Sequence, residues 1–197
     1  MSLTRQGVKF SEVQVYLFDH FYFERVDDLV RLKANILAEK IDETSYGKRT
    51  RSFGKDSTYL GKVGEFVFKN YLDYYWKGYF SSNVNDVNPF GGDITDVILG
   101  DAELKCDVKT RELLTDDTIA PQFDLRVPIT ELKKKQDVFV LTGFCPATDY
   151  GYVLGWCTWD ELQRKFVRND IKFPAKCVPV SELHPIQELE EYVKSRS

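Results

Sequence analysis

A chain of 197 residues suffices for one well-packed domain and is short for two, and its 43% hydrophobic and 29% charged residues are ordinary for a globular protein. No window reaches the apolar length of a membrane span, and the start Met1-Ser2-Leu3-Thr4-Arg5 lacks a secretory apolar core. The expectation is a soluble, cytoplasmic protein with no membrane partner. A net charge of −4 excludes a uniformly basic nucleic-acid binder but leaves room for a local basic patch.

In chain order, Val26 to Ile41 has Leu29, Leu32, Lys33, Ile36, Leu37 and Lys40 at helical spacing, which predicts an amphipathic helix. Residues 42 to 59 are polar, basic and glycine-containing, and read as a loop. Within it, Lys48, Arg49, Arg51 and Lys55 carry four positive charges with no acid between them. They are candidate contacts for a nucleic-acid backbone, set about evenly against a solvated loop.

A second helix is predicted from Gly61 to Trp76. Val63, Phe66, Val67, Tyr71 and Tyr74 form one apolar stripe, and Phe68, Leu72 and Tyr75 or Trp76 a second nearly opposite. A helix apolar on two sides belongs inside a core. Glu65 falls on the second stripe, and a carboxylate there needs a partner or a metal because burying a bare charge is costly.

Asp93 to Leu99 and Ala102 to Thr110 read as a hairpin joined at Gly100-Asp101. The second run alternates, with Glu103, Lys105, Asp107 and Lys109 on one face and Leu104, Cys106, Val108 and Thr110 on the other. Thr130 reads as the N-cap of a short helix ending near Gln136. Two buried strands follow, Asp137 to Thr142 and Tyr152 to Trp156. Thr158-Trp-Asp-Glu161 has capping-box form and opens a helix through Phe166, and Pro185 sits in the first turn of a terminal helix. Helices and strands in this order predict an α/β layered domain with a mixed sheet.

By itself Asp107-Val108-Lys109 is most simply a solvated strand face. Asp93, after Gly91-Gly92 at the mouth of the partner strand, and Glu65 on the buried helix change the balance, because hairpin neighbours bring carboxylates together. Three carboxylates and a lysine then arrive in the order helix, strand, strand. Asp96 is a rival to Asp93, ranked second because strand parity places it on the opposite face.

In these pieces the chain resembles the PD-(D/E)XK nucleases: Gly61-Lys-Val-Gly-Glu65 on the helix, Gly-Gly-Asp93 at the strand start, and Asp107-Val-Lys109-Thr on the next strand. The separation of Asp93 from Asp107 is of the size this family uses, and the strand from Asp137 and the run Gly155 to Leu162 resemble the tail of phage and bacterial members. The resemblance covers residues 58 to 190, and its weight lies in the co-occurrence of short motifs. It departs from the family at Gly92, where the name-giving motif has proline. It implies a restriction-endonuclease-like three-layer core with a central mixed sheet flanked by helices over residues 58–197. Residues 1–57 would be an N-terminal helical extension with the basic loop.

The resemblance also implies a metal-dependent nuclease, most simply a DNA endonuclease, and the chemistry of the residues agrees. Phosphodiester hydrolysis needs an aligned water and relief of developing negative charge. Mg²⁺ or Mn²⁺, as one or two ions, prefers oxygen ligands and keeps several waters, so one or two carboxylates can hold it. Asp93 and Asp107 would be ligands, with the backbone carbonyl of Val108 as a further oxygen and Glu65 on a second ion. Lys109 would orient the water or offset transition-state charge. The nuclease reading tilts the basic loop toward backbone contact. A catalytically inactive DNA-binding or assembly module, and an RNA- or structure-specific nuclease, are the rival readings; a homodimer would suit cutting of both strands.

Other residues fit bland roles better. Lys133, Lys134 and Lys135 read as a solvated face. Trp156 and Trp159 read as packing residues rather than base-stacking platforms, and His20 and His184 as structural. The cysteines Cys106, Cys145, Cys157 and Cys177 form no metal-binding pair and read as small buried hydrophobes.

Overall fold

The most apolar run of the chain, Val138–Cys145 (β8), is a strand buried along its whole length. The computed structural model describes residues 3–5, 8–10, 21–44, 55–84, 95–113, 123–132, 135–171 and 173–197, with side chains described for 21–41 and, within these ranges, from 57 onward. β8 pairs antiparallel with Tyr150–Thr158 (β9) and parallel with Leu104–Glu112 (β6). On the far side of β6 stand Val97–Leu99 (β5) and Phe80–Ser82 (β4), and Tyr22–Arg25 (β3) edges β9. The result is a mixed six-stranded sheet in the order β3-β9-β8-β6-β5-β4.

Two helices cover one face. Asp28–Thr44 (α1) packs on Lys55–Tyr75 (α2), and α2 lies against β6, β8 and β9. Val63, Phe66, Val67, Phe68, Tyr71, Leu72 and Trp76 of α2 are all buried, so both of its stripes are in the core. Tyr74 and Tyr75 are exposed. The opposite face meets a second sheet made of Asp124–Pro128 (β7), Val167–Arg168 (β10) and Ala175–Pro179 (β11), in the order β10-β11-β7. Leu125, Val127 and Val178 from this small sheet pack with Phe139, Leu141, Tyr152, Leu154 and Cys157. Alternation along β8 divides the sheet's residues between the layers: Val138 and Val140 face the helices, Phe139 and Leu141 the second sheet. A separate pair, Leu3–Arg5 (β1) with Val8–Phe10 (β2), is antiparallel.

The mixed α/β class and the helix-flanked sheet agree with the sequence, and several details differ from it. α1 buries Ala34, Leu37 and Ala38, while Leu29, Leu32 and Ile36 are exposed, because small alanines allow close packing on α2. Residues 55–59 are helical rather than loop, adding more than a turn to α2. The segment expected to be a helix from Thr130 turns at 129–132 instead; Glu131 and Leu132 donate to Pro128 and Ile129 in successive tight turns. The capping box at Thr158 and Glu161 forms as expected, yet its helix, Trp159–Gln163 (α3), stops short of Phe166. Pro185 precedes a 3-10 turn at Ile186–Glu188 that leads into Leu189–Lys194 (α4). Strands β7 and β11 and edge strand β3, which lies within residues 1–57, were not anticipated. All four cysteines are free and buried, and among the described residues no helix is long and apolar enough to cross a membrane.

Candidate active site

Gly64 fixes how near α2 comes to the sheet. A methyl group there would lie only 2.0 Å from Thr110 Oγ1 and 2.3 Å from Thr142 Oγ1, so no larger residue fits without displacing the helix. Thr142 donates to Thr110 at 3.0 Å, and Thr110 to the Gly61 carbonyl at 3.4 Å, which ties helix to strands at this point. The close approach brings the next residue, Glu65, to the edge of β6. Glu65 is buried and accepts from Lys62 Nζ at 2.6 Å, one turn earlier on the same helix.

On β6 the expected alternation holds. Cys106 and Val108 are buried toward α2, and Asp107 and Lys109 project from the other face. Lys109 Nζ is 2.7 Å from Asp107 Oδ2 and 2.7 Å from Glu131 Oε2, in the turn after β7. The two faces meet here because the sheet opens. β5 stops pairing at Val97↔Cys106, so the backbone N–H of Val108 has no strand partner on that side. The carboxylate of Asp96 takes it, accepting at 2.8 Å.

Asp96 is therefore part of the cluster, a correction to its expected place on the opposite face. Strand parity applies only inside a strand, and β5 begins at Val97; Asp96 is a bend residue whose side chain the pleat does not direct. Its backbone is held by Asn83, which donates its own N–H to the Asp96 carbonyl at 3.0 Å and its side-chain amide to the Thr95 carbonyl at 2.9 Å. No sequence pattern marked Asn83. Asp93, Lys48, Arg49 and Arg51 lie outside the described residues, and of Lys55 only the backbone, in the first turn of α2, is described. Lys133 and Lys134 lie outside them too, as does His20, while Lys135 is exposed.

The electrostatics are those of crowded acids. Burial pushes the Asp96 carboxyl well above the usual range, with Glu65 and Asp107 adding like charge. Glu65 is raised by burial against the opposing pull of Lys62, and Asp107 by burial against Lys109. Burial would lower Lys109, but Asp107 and Glu131 outweigh it and hold its ammonium charged, above the ordinary lysine value. Four carboxylates thus face two lysines.

Among the described residues, no three Asp, Glu, His or Cys side chains stand together as a ready metal cage. Glu65 and Asp107 are each turned to a lysine. The donor chemistry nonetheless fits a hard cation: Glu65, Asp96 and Asp107 offer only oxygens, and their excess negative charge is what an added divalent ion would offset.

Three other candidates have structural employment. His184 lies 2.7 Å from Glu161 and beside Trp156, whose indole N–H donates to the Pro185 carbonyl at 3.0 Å. Trp159 stacks on Phe139. One feature had no signal in the sequence: buried Asp124 on β7, which accepts from Arg111, Arg126 and Arg168.

No protein-family model matches the chain, and neither does any curated protein or solved structure.

Proposed function

We propose that the protein is a divalent-metal-dependent nuclease with a restriction-endonuclease-like core, hydrolysing phosphodiester bonds in DNA as an endonuclease. The observation that carries this reading is that Asp96 accepts from the Val108 N–H, between Asp107 and its partner Lys109, with buried Glu65 close enough to add its charge to Asp96. These residues arrive from a buried helix, a bend and a strand, in the order of the motifs in the sequence. Asp96 joins the acids expected from the sequence, because its carboxyl accepts from the Val108 N–H, next to Asp107, while Asp93 lies outside the described residues.

Asp96 and Asp107 would hold the ion, with Glu65 on a second one or on its water; Mg²⁺ or Mn²⁺, when bound, supplies an activated water and polarises a phosphoryl oxygen. The remaining work falls to the chain. Lys109 stays protonated across the physiological range, so it serves as a fixed positive charge beside the phosphoryl group and not as a base. Glu131, 2.7 Å from the ammonium, helps hold it in place. Lys62 favours the ionised form of Glu65 against burial, which pushes its carboxyl up. Hydrolysis makes a bond from water oxygen to phosphorus and breaks one to the leaving oxygen, which must gain a proton; with Lys109 fixed as a cation, water is the simplest donor.

The test is incubation with end-labelled single- and double-stranded DNA and RNA in Mg²⁺, Mn²⁺ or EDTA. Cleavage of duplex DNA with either metal, and none in EDTA, is the expected result. Cleavage of RNA alone would move the substrate and keep the chemistry. No cleavage of any polymer would leave a binding or assembly module with the same acids.

A further inference from the structure

Beyond Lys109, the same face of β6 continues to Arg111, roughly 7 Å further along at the rise of a strand. Arg111 donates to Asp124 Oδ1 at 2.5 Å and to its carbonyl at 3.2 Å, and lies over the Phe123 ring at 4.9 Å. Arg126, from β7, donates to the same Oδ1 at 2.6 Å, and Arg168, from β10, to Oδ2 at 3.2 Å. Asp170 takes up Arg168 through two nitrogens. The Asp124 side chain is 3% exposed, while those of Arg111, Arg126 and Arg168 are 29%, 35% and 42% exposed.

Asp124 offers one negative charge and about four lone-pair sites to three guanidiniums, so positive charge stays in excess even with Asp170 on Arg168, and most guanidinium donors are left over. Arg111 and Arg126 share a single oxygen, so their like charges stand side by side; burial and Arg126 together pull the Arg111 guanidinium below its ordinary value. Each guanidinium carries five N–H donors in a fork suited to phosphate. The arrangement has surplus positive charge, surplus donors, partial exposure, and a position next to the proposed hydrolytic centre.

We propose that Arg111 and Arg126, oriented by buried Asp124, form a phosphate-binding track that receives the backbone of duplex DNA beside the acid cluster. The choice of polymer rests on the nuclease reading; the track itself requires only an anionic backbone. Arg168 is the lesser member because Asp170 already engages it. Such contacts fix register and carry no sequence preference.

A fluorescein-labelled DNA duplex titrated in EDTA, with anisotropy read over a series of KCl concentrations, measures the track without any hydrolysis. Arg111→Gln with Arg126→Gln should weaken binding about tenfold or more and reduce the salt slope by about two, since each lost phosphate contact removes about one. Lys33→Gln with Lys40→Gln removes the same charge from exposed positions on α1, in the other layer, and should change both quantities little. Circular dichroism reports folding. Should the double arginine variant fail to fold, Arg126→Gln alone should lower the slope by about one, and Arg126→Lys should keep it. The proposal is overturned if wild type does not bind the duplex, if the folded arginine variants bind as wild type, or if the α1 variant loses as much. Stronger dependence on the arginines for labelled RNA than for DNA would overturn the assignment to duplex DNA. Arginine-dependent DNA binding without cleavage in Mg²⁺ or Mn²⁺ would support the track while the nuclease reading fails.

Discussion

Strand β6 carries two ion clusters that differ in sign. Around Asp107 and Lys109, the carboxylates of Glu65, Asp96, Asp107 and Glu131 meet two lysines, Lys62 and Lys109. Two positions further on, three arginines meet Asp124 and Asp170. The first cluster is short of cations and the second is short of anions. The comparison shows how one strand can serve opposite needs, because alternate residues share a face while the elements opposite that face change along its length. At 107–109 the neighbours are the bend that carries Asp96 and the turn that carries Glu131; at 111 they are strands of the second sheet that carry Arg126 and Arg168.

The largest effect that would sharpen this contrast is catalytic. Lys109→Ala should reduce duplex cleavage in Mg²⁺ by roughly 10²–10³-fold, the scale for removing one preorganised charge at a transition state. DNA affinity measured in Ca²⁺ should stay within a few-fold of wild type, because backbone binding is assigned to the arginines. A Lys109→Ala protein that cleaves normally, or loses binding in proportion to cleavage, would erase the division of labour between the clusters.

Neutralising one carboxylate in each cluster should move stability in opposite directions. Asp124→Asn strips a buried charge from three guanidiniums and should cost about 3 kcal/mol, the low end for a broken buried pair because the arginines are partly exposed. For a chain of this size that lowers the melting temperature by roughly 6–12 °C. A loss under about 2 °C would mean that the arginines lean on Asp124 far less than their geometry implies.

Asp96→Asn should act the other way and more weakly. The folded-state carboxyl of Asp96 titrates well above its ordinary value, so its proton is bound more tightly in the folded protein than in the unfolded one. Its stabilising contribution is complete below the unfolded value, about 3.9, and is lost as pH rises through the folded value. In EDTA, the asparagine variant, which keeps an oxygen for the Val108 N–H, should melt a few degrees higher than wild type at pH 8, roughly 3 °C. The gain should shrink steadily as the pH is lowered toward 4. A lower melting temperature at pH 8 would show that Asp96 is well compensated where it stands.

Much of the first cluster was legible in the chain and little of the second. Period-two alternation alone placed Asp107 and Lys109 together, and Glu65 stood out as an acid on a stripe that had to be buried. Gly64, one residue earlier, supplies the physical reason that helix and strand meet there. Asp96 was misplaced because parity was extended into residues that bend, and its true orientation depends on Asn83 and on a vacant strand position at Val108. Asp124 offered nothing to read. Its partners come from positions 111, 126 and 168, and β7 and β11 are five-residue strands ending in proline, paired across some fifty residues of chain. Arg126 is a neighbour on the same strand, but the other two partners lie 13 and 44 residues away, and compensation assembled that way leaves little local pattern. The exposed Leu29, Leu32 and Ile36 make the converse point, since helical spacing identifies a stripe without saying which side faces the core.

The central claim is that Asp96 and Asp107 hold a divalent ion while the arginine cluster does not, and calorimetric titration with Mn²⁺ tests it most directly. Wild type should bind Mn²⁺ more tightly than Mg²⁺, following the affinity order of divalent metals. Binding should fall at least tenfold in Asp96→Asn and in Asp107→Asn, and remain unchanged in Arg111→Gln. Undiminished Mn²⁺ binding in both Asp96→Asn and Asp107→Asn, or its loss in Arg111→Gln, would contradict the account.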